Sequence, residues 1–128
     1  MQVGLNLQQA PSIWVPFRFF LSAPLFGLLA AAVMLWQGPD LFVSRWSAST
    51  LAATHLITLG FMTMVMVGAM MQMLPVLAGV PVPRPKLVAG IVHPLLVLGT
   101  LLLAAGFLFA QPHLLQCAVV LLGTGLTV

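Results

Sequence analysis

From Phe17 to Trp36, from Leu51 to Leu74 and from Leu87 to Ala110, the chain runs through twenty or more residues whose only charge is Arg18. The hydrocarbon core of a bilayer is about 30 Å thick and takes roughly 20 apolar residues of helix to cross. Each run is long enough to span it. A soluble domain is about one-quarter charged, whereas 62% of this sequence is hydrophobic and 4% is charged. Four basic residues and one acidic residue cannot hydrate a protein surface, so lipid must be the solvent for most of it. The expected fold is all-α: an integral membrane bundle of three full transmembrane helices and a partial or short fourth. The net charge of +3 and a pI near 10.8 do not point to nucleic acid, because four scattered basic residues make no patch.

The breaks between the runs set the organisation. Met1 to Val15, with Pro11 and Trp14, reads as an interfacial lead-in, and Gln37 to Ser49 as a turn around Gly38-Pro39-Asp40 followed by an interfacial stretch at Arg45-Trp46. Ser47, Ser49 and Thr50 are N-cap candidates for the second span. That span could continue past Pro75. Three prolines between Val80 and Lys86 break the chain into a linker, and Gln111-Pro112 makes a tight turn. The fourth run, 113–128, is too short to span comfortably. Residues 1–128 are therefore expected to be one membrane domain, with spans at about 17–36, 51–74, 87–110 and 113–128, forming the N-terminal part of a longer bundle. No cleavable signal peptide is evident. The lone cysteine, Cys117, lies in an apolar run and reads as a small hydrophobe.

Lys and Arg in short loops orient a membrane protein. Arg18, Arg84 and Lys86 fall on one side and Arg45 on the other, beside Asp40. This predicts a cytoplasmic N-terminus in a bacterial-type inner membrane.

Ionisable groups within a span are costly and call for a role or a partner. His55 lies four residues past Leu51, about 6 Å into the second span, and His93 about 9 Å into the third. His113 reads as interfacial, and His93, followed by Pro94, as a packing hydrogen bond or a buried site. At 100° per residue, Leu59, Met62, Met66, Met70 and Met73 lie within about 60° of the direction of His55. Gly60 and Gly68 take the opposite side, with Met64 and Met71 nearby, and permit close approach of a neighbouring helix. Imidazole and thioether both ligate haem iron and both suit Cu(I), which makes His55, Met62 and Met66 candidate cofactor contacts and His55 and His93 candidate metal ligands. The same methionines also serve as adaptable packing. Entering from opposite faces of a core of about 30 Å, His55 and His93 should differ in depth by about 15 Å, which makes them poor partners on one iron. A haem on His55 would then be five-coordinate or take its second ligand from outside this sequence.

The stretch Thr54 to Leu77, THLITLGFMTMVMVGAMMQMLPVL, resembles the second transmembrane helix of proteins related to haem-copper oxidase subunit I, and Pro16-Phe17-Arg18-Phe19-Phe20-Leu21 resembles the opening of the first helix in the NnrS family. The resemblance covers about the first 80 residues. It implies that His55 is an axial ligand of a low-spin haem near the outer face, in a protein of electron transfer, respiration or nitric oxide metabolism. The later histidines that complete the oxidase sites have no counterpart here, nor does the tryptophan-histidine pattern of NnrS, since Thr54 precedes His55. The resemblance therefore assigns no reduction chemistry to this chain. Two other readings stand beside it: a Cu(I)-handling protein using Met62, Met66, Met70 and Met73, and a structural or assembly subunit that packs with other membrane subunits and holds no cofactor.

Overall fold

The computed structural model describes residues 10–128, so the lead-in expected over 1–15 lies largely outside the described residues. Four helices follow in order: α1 (Trp14–Gln37), α2 (Ala48–Leu77), α3 (Pro85–Leu108) and α4 (Pro112–Thr127). No strand occurs among the described residues. Three helices are long and apolar enough to cross a membrane, α1 and α3 measuring about 36 Å at 1.5 Å per residue. By the same measure α4 is about 24 Å long, short of the 30 Å core, as its length in the sequence predicts.

The helices begin earlier than hydropathy alone places them. α1 starts at Trp14 rather than Phe17, and α2 at Ala48 rather than Leu51. Of the three cap candidates, Ser47 is used. Its backbone is extended and its Oγ accepts from the Thr50 N–H at 3.3 Å. The Thr50 hydroxyl in turn donates to the Leu41 carbonyl, which ties the start of α2 to the preceding turn. α2 does continue through Pro75, to Leu77. α1 stops where Gly38 takes φ +55, a conformation a Cβ disfavours, and its N–H closes on the Met34 carbonyl. A short 3-10 turn, Gly38–Phe42, follows.

Among the described residues α1, α2 and α3 pack on one another, and α4 packs on α3 alone. With lipid on the outside, close backbone approach rather than hydrophobic burial drives such packing. The buried stripe of α2 is Leu56, Gly60, Met64, Gly68, Met71 and Pro75, spaced by three or four residues. At Gly60 the ring of Phe26 fills the place of a Cβ, and at Gly68 the Cβ of Phe19 and the carbonyl of Pro16 do so. Gly99 and Gly106 receive Leu122 and Leu115 of α4 in the same way. The glycine face expected to seat a neighbouring helix thus seats α1.

One feature of α2 departs from a uniform helix. Leu56–Met62 is π-helical, with the Thr63 N–H and the Thr63 hydroxyl both reaching the Thr58 carbonyl five residues back. A π turn accommodates one extra residue, so everything beyond it is set back by about 100°, one residue's share of a 3.6-residue turn.

Candidate functional site

His55 closes the first α-helical stretch of α2, just ahead of the π segment, and is half-buried. Its Nδ1 lies 2.6 Å from the carbonyl oxygen of Leu51, one turn back. A carbonyl only accepts, so Nδ1 carries the proton and donates. In the neutral ring, Nε2 then holds the lone pair, and no hydrogen bond to it forms among the described residues. The ring of Phe107 lies against the imidazole, centroids 5.3 Å apart and planes inclined by 32°. Because α2 starts at Ala48, His55 is about 10 Å along the helix rather than 6 Å. Phe107 belongs to the last turn of α3, so both residues lie toward the α3–α4 turn end of the bundle.

His93 occupies different surroundings. Its Nε2 is 3.0 Å from the hydroxyl of Ser22 in α1, and the ring of Phe19 meets it edge-on at 5.1 Å. His93 and Phe107 are fourteen residues apart on one helix, about 21 Å at 1.5 Å per residue. Metal–nitrogen bonds are about 2 Å, so His55 and His93 cannot share an ion. Of the two sequence readings of His93, the geometry is that of the packing hydrogen bond. His113 is exposed in the first turn of α4, and Cys117 is also exposed. Among the described residues no cluster of three or more His, Cys, Asp or Glu is placed to hold a metal ion.

The methionines divide by face. Met64 and Met71 are buried in the bundle, while Met62, Met66, Met70 and Met73 are all more than half exposed. Met66, Met70 and Met73 line one shallow apolar groove with Ala69, Leu74 and Leu77. A uniform 100° projection aligns these methionines with His55. The π segment changes that phase, because residues after Met62 are set back by about one position, while His55 precedes the segment and turns to Phe107. Met66, Met70 and Met73 are thus turned by about 100° from the direction that a uniform projection gives them.

Sequence reasoning missed the π segment, Phe107 and Ser22. Nothing in LITLGFM departs from ordinary helical composition. Ser22 and Phe19 are legible only in hindsight, as a polar residue and its neighbour one turn from the charged start of α1. Comparison with family models, curated proteins and solved structures returns no match.

Proposed function

We propose that this chain is a haem-binding membrane module in which His55 is an axial ligand through Nε2. The observation that carries the reading is the 2.6 Å contact of Nδ1 with the Leu51 carbonyl. Metal-ligating histidines almost always donate their other ring N–H to such a partner, which fixes tautomer and orientation and raises basicity. The residues present fit the group: a protonated Nδ1 held by the backbone, an Nε2 with no hydrogen-bond partner among the described residues, and the ring of Phe107 packed against the imidazole. A haem held there supplies one-electron chemistry. The chain contributes a ligand of fixed tautomer in a setting of low polarity. His93, about 20 Å away along the bundle, is not the second ligand.

The resemblance of Thr54–Leu77 to the second helix of oxidase-like proteins supports the same residue in the same role. Electron transfer linked to respiration or nitric oxide metabolism is the setting it favours, in a bacterial inner membrane with a cytoplasmic N-terminus. The experiment is expression with haem supply and purification in detergent. A Soret band is expected in wild type, lost in His55→Ala and retained in His93→Ala. A colourless wild-type protein, or a band indifferent to His55, overturns the proposal.

The groove lined by Met66, Met70 and Met73 favours a second reading, Cu(I) handling by soft thioethers. Copper content that falls when these residues become leucine, with His55→Ala silent, would select it.

A further inference from the structure

The end of the bundle where α1 and α3 begin carries Arg18, Arg84 and Lys86. The chain's one acidic residue, Asp40, lies in the 3-10 turn at the far end of α1. Arg18 and Lys86 therefore have no carboxylate side chain within the sequence to neutralise them. The Arg18 Nε–H reaches back to the Trp14 carbonyl at 3.5 Å, one turn toward the helix start. This is the direction in which a cation near a helix end finds the membrane interface. The guanidinium also crosses toward α3, where Nη1 lies 4.0 Å from the point a Cβ on Gly90 would occupy.

Gly90 is exposed and offers no side chain. Lys86 stands one turn before it and His93 one turn beyond, and i, i+4 and i+7 share a face of a helix. One turn further on, the Ser22–His93 hydrogen bond joins α1 to α3 at 3.0 Å. Toward the interface, Trp14 and Phe17 meet edge to face at 5.8 Å, Trp14 67% and Phe17 40% exposed. The Arg18 guanidinium thus lies beside the exposed backbone of Gly90, with nothing else within 4 Å of its would-be Cβ, Lys86 one turn before it on α3 and the Trp14–Phe17 pair one turn back on α1. Arg18 is only about 6 Å along α1 from Trp14, which is the depth of a headgroup rather than of an acyl chain.

We infer that Arg18 and Lys86, drawn to the exposed Gly90 position where α1 meets α3, bind the phosphate of an anionic phospholipid headgroup. Basic pockets between transmembrane helices are a recurrent solution for such headgroups. The Trp14–Phe17 pair suits the adjoining glycerol and upper acyl region, which inorganic phosphate lacks. The site is independent of the haem reading, since it uses neither His55 nor its surroundings.

The test is lipid retention by the full chain in nanodiscs of phosphatidylcholine doped with phosphatidylglycerol, read by native mass spectrometry after detergent release. Wild type should retain phosphatidylglycerol over phosphatidylcholine. Arg18→Gln and Lys86→Gln should each lower that preference about fivefold, the weight of one basic residue at an anionic surface. Gly90→Leu keeps both charges but fills the Gly90 position, and it too should lose the preference, with helicity by circular dichroism confirming that it folds. Wild-type retention unaffected by millimolar inorganic phosphate identifies the lipid as the ligand, and competition by phosphate overturns that assignment. Equal retention in Gly90→Leu would mean diffuse charge rather than a site at Gly90, and would overturn the inference.

Discussion

The imidazole of His93 and the hydroxyl of Ser22 join α3 to α1 through a 3.0 Å contact between Nε2 and Oγ. The same hydroxyl lies 3.0 Å from the Arg18 carbonyl and 3.1 Å from that of Phe19. It has one proton, so a donation to either carbonyl leaves Nε2–H of His93 as the donor across the interface. Interhelical hydrogen bonds in membranes average about 0.6 kcal/mol and reach about 1.7. Ser22→Ala should therefore destabilise the bundle by about 0.5–1.5 kcal/mol, measured by reversible unfolding in mixed micelles. It should leave any Soret band in place. A spectral change in Ser22→Ala would argue that His93 is a ligand after all.

A second expectation concerns close approach. A Cβ on Gly60 would come within 2.4 Å of Cγ and Cδ1 of Phe26, atoms near the backbone end of a ring packed in the interface. Gly60→Ala should cost about 1–3 kcal/mol, the usual range for overpacking. Phe26→Ala in the same background should recover part of it. Gly123 in α4 has nothing within 4 Å of its would-be Cβ. Gly123→Ala should be neutral or stabilising by up to about 1 kcal/mol. Equal effects at the two glycines would contradict the packing described.

The methionine face gives a third. Met62, Met66, Met70 and Met73 point away from the bundle, and leucine conserves volume well enough that such swaps usually cost less than about 1.5 kcal/mol even in a core. The quadruple Met→Leu variant should keep wild-type stability and, under the haem reading, the wild-type Soret intensity. Metal analysis on the same preparation separates this from Cu(I) handling, which requires copper to fall.

These expectations show which parts of the molecule are legible in the residue order. The spans follow from length and charge, since lipid admits little else than helices over Phe17–Trp36, Leu51–Leu74 and Leu87–Ala110. The glycine face of α2 follows from period, because Gly60 and Gly68 can approach a neighbour only from one side. Helix starts were less legible: Ala48 and Ser49 are not apolar enough to register, and the cap at Ser47 depends on the Leu41 turn folding back. The site was legible as a residue but not as a geometry. His55 stands out for its depth, whereas its partner Phe107 is 52 positions away and one aromatic among eight phenylalanines. The phase of the methionines against His55 was not legible, since a projection at fixed pitch cannot register a π segment of ordinary composition.

That segment yields the sharpest prediction. Removing Thr58, an exposed residue inside Leu56–Met62, should let α2 close into a continuous α-helix with a regular hydrogen-bond ladder. Taken alone, this repairs the helix. It also rotates the part before the deletion, with Ala52, Ala53 and His55, by about 100° against the part carrying Met64, Gly68 and Met71. Both parts have buried residues seated in the bundle, and both cannot stay seated after the rotation. Either the Gly68 contact with Phe19 or the His55 contact with Phe107 must open. ΔThr58 should thus be destabilised by several kcal/mol relative to Thr58→Ala, which loses only the side-chain bond to the Thr54 carbonyl, worth about 1 kcal/mol. Helicity by circular dichroism should be unchanged or higher in ΔThr58 while its thermal midpoint falls, a combination that separates lost packing from lost helix. A deletion variant as stable as Thr58→Ala would show that the wide turn does not set the phase between His55 and the rest of α2.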